Sequence, residues 1–383
     1  MVRIEDKSVC CGCSACSSIC PHGAISMQAD GLGFRYPSVD ISLCVECGLC
    51  EQVCTFNSAS DHVSDPLKSL AMRNKEEQSL MQSRSGAVFP ELASWIIKSG
   101  GVVYGAGFDE NFNVIHKRAD DLISCNEFRG SKYVQSEIGD TFRSVRKDLK
   151  EGKTVLFTGT PCQCAGLKSY VPSVLMHNLY LVDIVCHGVP SPNVWRDNLK
   201  CQHSKLKAPI SAVSFRDKQS YGWTAHKETY SSDSVKITDD TFTDLYFRHI
   251  IMRESCYTCP YASKSRVSDL TLADFWGWQN VLPDFNKDDK GVSLVIISSE
   301  KGMQLIDSVI DRFESYSVRL EDCMQPNLKS PSVPSPYSEA AQKAYVDKGY
   351  HYLVRHYGSG SLRNRIKSIY LKLRKSLRRL LGL

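Results

Sequence analysis

Residues 10–21 read CCGCSACSSICP, and residues 44–54 read CVECGLCEQVC. Each stretch holds the spacing Cys-x2-Cys-x2-Cys-x3-Cys: Cys10, Cys13, Cys16 and Cys20, then Cys44, Cys47, Cys50 and Cys54, with Pro21 directly after the first run. This is the bacterial ferredoxin arrangement, in which the fourth cysteine of a run ligates the other cluster. Three thiolates two residues apart wrap one face of a cubane, and the fourth lies too far round to join them. One 4Fe–4S cluster is therefore expected on Cys10, Cys13, Cys16 and Cys54, and a second on Cys44, Cys47, Cys50 and Cys20. Gly12 and Gly48 are placed to relieve crowding where the backbone passes the sulfide. Zinc is the alternative for Cys-x2-Cys pairs, and two identical four-cysteine runs argue against it. Cys11 fits neither run and reads as a spectator.

The rest of the composition agrees with a redox protein. The 383 residues are 42% hydrophobic, 23% charged and 9% aromatic with 15 Pro, which suits a soluble globular chain of two or three domains. No apolar run approaches the roughly 18 residues of a membrane-spanning helix. The opening MVRIEDKSVC lacks the basic and apolar regions of a secretory signal, so a cytoplasmic location is expected. Seventeen cysteines in such a chain point to metal rather than to a disulfide scaffold.

Beyond the ferredoxin stretch (1–58), the polar residues 59–68 read as a linker. Phe89, Leu92, Ala93, Ile96 and Ile97 then recur at helical spacing ahead of Gly100 and Gly101. Short apolar strands follow at 102–104, 154–158 and 179–185, separated by helical patterns, which predicts a mostly parallel α/β sheet. Gly105 to Gly107 lacks the third glycine of a dinucleotide fingerprint and reads as a turn. Cys162 and Cys186 fall just past predicted strands, the edge at which open α/β sheets bind ligands. With the pair Cys256 and Cys259 they make four thiols, the number a third 4Fe–4S cluster needs. Taken alone, the residues leave zinc ligation and buried apolar filling open as well, and Cys164 stands near enough to Cys162 to substitute for it. Cys125, Cys201 and Cys323 carry no motif and read as structural.

Residues 331–360 form a Pro- and Ser-rich extension that begins as SPSVPSPY (330–337), an extended surface crossing. Residues 361–383 hold eight basic side chains and no acid, leaving 39 basic against 42 acidic in the rest of the chain, a net of −3. Leu362, Ile366, Ile369, Tyr370, Leu373, Leu377 and Leu380 share one helical face there. A basic amphipathic helix of this kind suits an anionic membrane surface, which predicts peripheral attachment. Scarce aromatics and a leucine-rich face argue against nucleic acid.

Several blocks make the chain from about 84 to 300 resemble the beta subunit of coenzyme F420 hydrogenases and dehydrogenases. They are Ser85-Gly86 before an apolar helix, FRGSKYVQS (128–136), VLFTGTPCQCAGL (155–167), DIVCHGVPSP (183–192), FRDK (215–218), SCYTCP (255–260), SDLTLADFWG (268–277) and KGVSLV (290–295). The resemblance implies a mixed α/β FAD-binding domain over 69–330, behind the α+β ferredoxin-type dicluster domain. It also implies a third 4Fe–4S cluster beside the flavin, on Cys162, Cys186, Cys256 and Cys259. On the same ground Ser85, Gly86, Arg129, Ser131, Lys132 and Tyr133 are candidates to hold FAD, their small, hydroxyl and cationic groups suiting a pyrophosphate and a ring edge. His187 and Asp274 are candidate catalytic residues; Trp276 and Trp278 line the site or belong to the core. The implied activity is an iron–sulfur flavin-dependent oxidoreductase acting on a small-molecule redox substrate, F420-like deazaflavin or another acceptor, with a redox donor protein as a further partner. The alternative is an electron-relay subunit of a larger complex with no substrate site of its own.

Overall fold

The computed structural model describes residues 1–56 and 63–359. The rest of the expected linker and the basic helix over 361–383 lie outside the described residues.

In the ferredoxin part, strands β1 (Ile25–Ala29) and β2 (Arg35–Val39) pair antiparallel. Asp30 shapes their turn by accepting from the Leu32 and Phe34 amides, each at 3.0 Å. The short helices Ala15–Ile19 and Leu49–Gln52 lie within the cysteine runs, each entered through a left-handed residue, Ser14 or Gly48. The local core is small: Val2, Ile25 and Cys50, with Ile4, Cys16, Cys20 and Val39 against them. So little buried apolar area stabilises a unit of this size only weakly, and bound clusters would contribute the rest.

The body is built on an eight-stranded sheet. Its strands are β3 (Lys68–Asn74), β4 (Val102–Phe108), β5 (Val114–Ala119), β6 (Val155–Gly159), β7 (Leu179–Ile184), β11 (Leu270–Asp274), β12 (Ser293–Ile297) and β13 (Phe313–Val318). Strands β8 (Ala212–Ser214), β9 (Thr229–Ser231) and β10 (Lys236–Thr238) make a separate antiparallel sheet. The large sheet runs β13–β3–β12–β11–β7–β6–β4–β5. Only β11–β7–β6–β4 pair in parallel; β12, β3 and β13 at one edge and β5 at the other join antiparallel. The sheet is therefore mixed rather than mostly parallel. Its middle is covered on both faces: Val295 and Ile297 pack with Leu92 and Ile96 on one side, while Leu294 and Ile296 pack with Phe275 and Leu328 on the other. That double burial explains why β12 is an unbroken apolar run instead of an alternating one.

Three expectations change. Gly105 and Gly107 are not a turn but lie inside β4, paired with Lys117 and Ile115. A Cβ at Gly105 would meet the Phe128 ring at 2.8 Å, so close approach, not chain reversal, calls for glycine there. The reversal falls instead at Asp109–Asn113, closed by Asp109 accepting from the Asn111 and Asn113 amides. Second, the Pro- and Ser-rich extension holds the helix Ser338–Tyr357, which buries Ala341, Tyr345, Tyr350 and Leu353. A left-handed Gly349 interrupts it and breaks the periodicity a sequence reading relies on. Third, the described end of the linker is strapped to the body, Ser64 and Arg266 exchanging two backbone hydrogen bonds of 2.8 Å.

Candidate metal centres and cofactor cleft

Cys20, Cys44, Cys47 and Cys50 line one small hollow, walled by Ala24, Ile25, Val39 and Leu43. The fourth cysteine of the first run thus meets three of the second, the grouping that the spacing predicts. Cys10, Cys16 and Cys54 are mutual neighbours, and burial, then the charges of Cys10 and Cys54, pushes the Cys16 thiol up to about 12. Cys13 shares an apolar cluster with Cys16. Gly12 is left-handed, and a Cβ on it would meet the Arg35 carbonyl oxygen at 2.8 Å and the Arg253 guanidinium at 3.0 Å. What crowds Gly12 is thus these two arginines.

The other cysteines converge from distant elements. A proline-initiated helix, Pro161–Tyr170, follows β6 with Thr160 and Gln163 as a capping box, and its first turn presents Cys162. Cys186 lies just past β7, Cys256 ends the 3-10 turn Glu254–Cys256, and Cys259 follows three residues later. Burial drives the Cys186 and Cys259 thiols up to about 12, and in each the Cys162 charge is the next contributor. Burial also raises Cys256, seconded by Cys186, Cys162 and Cys259. All four thus sense one another, and all would release a proton on binding iron. Among the described residues no three His, Cys, Asp or Glu converge closely enough to hold a single metal ion. Cys164 turns the other way, into the core, with its Sγ 3.7 Å from the Val182 carbonyl oxygen.

The cysteine sets adjoin. A Cβ on Gly166, in the helix that bears Cys162, would stand 2.8 Å from Cys13 Sγ. Cys11, a spectator by spacing, lies against both Cys13 and Cys162: the Cys13 contact raises the Cys11 thiol, and the Cys162 contact lowers it while raising the thiol of Cys162.

Past Cys186 opens a cleft of about 790 Å³. Ser85, Arg129, Ser131, Lys132, Tyr133, His187 and Asp274 all line it. Gly86 does not. It is pressed against β3 and β12, where a Cβ would reach the Met72 carbonyl oxygen at 2.0 Å, so it lets the chain enter the sheet rather than touch a ligand. His187 stacks on Tyr246 (4.8 Å) and Phe247 (5.6 Å), its Nε2 is 3.1 Å from the Tyr246 hydroxyl, and burial holds it neutral by lowering its pKa to about 4. Asp274 is not a free acid: it accepts from Arg216 and, at 2.9 Å, from the Trp223 indole. Burial brings Lys132 down to about 8.

Arg84, Arg216 and Ser332 escaped the sequence reading, and the choice left open for Trp276 and Trp278 is decided here. Arg84 lies against Asp274 at 4.0 Å, and its Nε and Nη1 are buried without a hydrogen-bond partner; Arg216 Nε is in the same state. Trp276 is the member of its pair that faces the cleft, stacked on Trp223 at 4.6 Å, whereas Trp278 is buried in the core. Ser332 donates to the His187 carbonyl at 2.7 Å, so the proline-rich crossing forms part of the cleft wall. Arg84 adjoins the Ser85-Gly86 block and Arg216 lies in FRDK, the one signal that could have found them. Unsatisfied guanidinium donors, a buried lysine and aromatic walls fit an anionic ligand with a flat ring system, as FAD is.

Residues 9–58 match the 4Fe-4S dicluster domain family, and residues 152–319 match the family described as the C terminus of the coenzyme F420 hydrogenase/dehydrogenase beta subunit. A curated relative, the coenzyme F420-dependent sulfite reductase of Methanocaldococcus jannaschii, is 25% identical over 186 residues, 47% of this chain. The match spans 28% of that relative's own length. Among solved structures, a chain of the F420-reducing nickel–iron hydrogenase complex from Methanosarcina barkeri aligns with a TM-score of 0.48 at 14% identity, covering 76% of this chain and 91% of the other. The beta-subunit match contains Cys162, Cys186, Cys256 and Cys259, and the dicluster match contains all eight ferredoxin cysteines.

Proposed function

We propose that this chain is an iron–sulfur flavoprotein oxidoreductase that exchanges electrons with a small organic substrate. One observation carries the reading, the unbroken succession of cysteine sets from surface to cleft. Cys47 is exposed; Cys16 senses Cys10 and Cys54 as well as Cys50 of the outer set; Cys13 abuts the helix of Cys162; and Cys186 lines the cleft. Clusters bound at these sets would supply one-electron transfer. A flavin bound in the cleft would supply the exchange between single electrons and two-electron chemistry.

The chain's own residues would do the rest. Arg84, Arg129 and Lys132 would neutralise phosphates, with Ser131 as a hydroxyl donor; the Ser85 hydroxyl donates to the Val292 carbonyl at 2.6 Å and would offer a ligand only its lone pairs. Tyr133, Tyr246, Phe247 and Trp276 would flank a ring and exclude water. His187, neutral at pH 7, meets the Tyr246 hydroxyl through its Nε2 while that hydroxyl donates to the Gly188 carbonyl at 3.0 Å, and Asp274 fixes Arg216 and the Trp223 indole. A second hollow of about 340 Å³ beside the cleft, lined by Arg84, Arg129, Lys132, Arg216 and Lys218, favours an anionic substrate. An F420-like deazaflavin, named in the relative's activity, is the first substrate to test. A redox donor protein and an anionic membrane surface, met by residues 361–383, complete the proposed partners, at the cytoplasmic face.

Anaerobic purification with iron, sulfide and flavin analysis, followed by a screen of acceptors against the dithionite-reduced protein, tests the reading. A colourless protein free of iron, sulfide and flavin would sink it. Turnover that appears only with a partner protein would favour an electron relay, against which the open cleft argues.

A further inference from the structure

Arg253 is a buried cation with no carboxylate among its hydrogen-bond partners in the described residues. Its side chain is sealed from solvent, and its guanidinium lies over the Tyr36 ring at 4.2 Å and the Phe34 ring at 5.4 Å. Nε donates to the Cys10 carbonyl at 2.8 Å, Nη1 to Gln135 Oε1 at 3.0 Å and Nη2 to the Arg35 carbonyl at 3.0 Å. The remaining contact is Nη2 to Cys10 Sγ at 3.8 Å. Among the described residues, none of these partners is a carboxylate. A guanidinium taken out of water needs a negative charge nearby. Cys10 Sγ is the one partner that can carry it, as a thiolate.

The surroundings are arranged around that contact. Left-handed Gly12, two residues beyond Cys10, leaves the space the guanidinium occupies. Gln135 holds Arg253 through its oxygen and the Cys11 carbonyl through its nitrogen at 2.9 Å. Arg253 also lies three residues ahead of Cys256. It therefore stands where the inner ferredoxin set meets the third cysteine set.

We infer that Arg253 is the counter-charge of the iron–sulfur group at Cys10 and raises the reduction potential of that group above what its four thiolates alone would set. The inference rests on the proposed cluster at Cys10, Cys13, Cys16 and Cys54. Reduction adds one electron, and hence one negative charge, to a thiolate-bound group, with no proton required. A fixed cation and an N–H···S contact stabilise the reduced form more than the oxidised form, most strongly where water is excluded. The electron would then be held more tightly at the junction between the two halves of the chain than at a site lacking the cation.

The test is a potentiometric titration of the anaerobically purified full chain, followed by electron paramagnetic resonance. Arg253→Met removes the charge and keeps the bulk; Arg253→Gln removes the charge and keeps a donor; Arg253→Lys keeps the charge. Both neutral variants, at full iron content, should reduce one cluster at least tenfold less favourably at a given potential, about 59 mV for one electron. The signal of the outer set at Cys20, Cys44, Cys47 and Cys50 should stay in place, the third set near Cys162 should shift less than the Cys10 group, and Arg253→Lys should remain near the parent. Unchanged potentials in a fully loaded neutral variant overturn the inference. If neither neutral variant loads iron, Arg253→Lys decides: a parent-like potential supports the counter-charge, and a lowered one overturns it. Absence of iron from the parent chain would instead remove the cluster reading on which the inference stands.

Discussion

Asp183 and Arg266 form an ion pair at 2.9 Å with both side chains sealed from solvent. The pair joins the end of β7, which leads into Cys186, to the segment after Cys259. Thr271 donates to the same Asp183 oxygen at 2.5 Å, and Arg266 also reaches the carbonyls of Tyr261, Ser263 and Ile184. A buried pair adds little net stability over an apolar replacement, yet removing one partner strands the other charge, at about 3–5 kcal/mol. Asp183→Ala is expected to destabilise the protein by about that amount and to lower iron retention at the third cysteine set. Urea unfolding together with an iron assay measures both, and a loss below about 1 kcal/mol would refute the structural role.

Cys162 and Cys164 should separate cleanly. Cys162→Ala is expected to lower the iron content by about four of about twelve atoms, whereas Cys164→Ala should leave it unchanged, because Cys164 packs into the core. Colorimetric iron and sulfide assays on the two variants decide which cysteine binds.

Arg84→Met should weaken flavin binding. Its unsatisfied Nε and Nη1 are donors waiting for an acceptor, and charged hydrogen bonds contribute about 1.5–3 kcal/mol, or about tenfold or more in affinity. Flavin-to-protein ratios and quenching titrations check this. A parent-like dissociation constant would show that the arginine serves the fold alone.

Glu228 links folding to pH. It is sealed from solvent, accepts from the Tyr230 hydroxyl and from the Thr243 amide at 3.3 Å, and burial raises its pKa from 4.5 to about 8. Between those values the unfolded chain has lost the proton that the folded chain keeps, so stability falls as pH rises through this window and levels off above about 8. Glu228→Gln should flatten that part of the profile. Urea midpoints at several pH values from 5 to 9 read it out; a slope shared by both proteins would assign the effect elsewhere.

Deleting residues 361–383 is expected to abolish sedimentation with anionic vesicles and leave iron and flavin content as in the parent. Equal binding by both forms would count against membrane contact through this segment. Among the described residues no helix is long and apolar enough to cross a membrane.

The legible features were local ones. Ligand grouping in the ferredoxin part follows from spacing within two short runs, since covalent chain geometry alone brings such residues round a cubane. The strand ends that carry Cys162 and Cys186 were legible because apolar runs stop abruptly there. The helix Ser338–Tyr357 was hidden by Gly349, and the direction of the edge strands was hidden because apolar runs look alike whether paired parallel or antiparallel.

By itself, the amino-acid sequence determined that this chain carries two four-cysteine runs of ferredoxin type and an α/β body, and left open whether Cys162, Cys186, Cys256 and Cys259 meet. Tertiary structure alone decided that Cys164 faces the core, that Gly86 serves the sheet and that Asp274 is tied to Arg216 and Trp223. It also brought Arg253 to Cys10 across 243 positions of chain. The reason is physical: a ligand run is specified by bonds along the backbone, whereas the partner of a buried charge is specified by what the fold carries to it from far away.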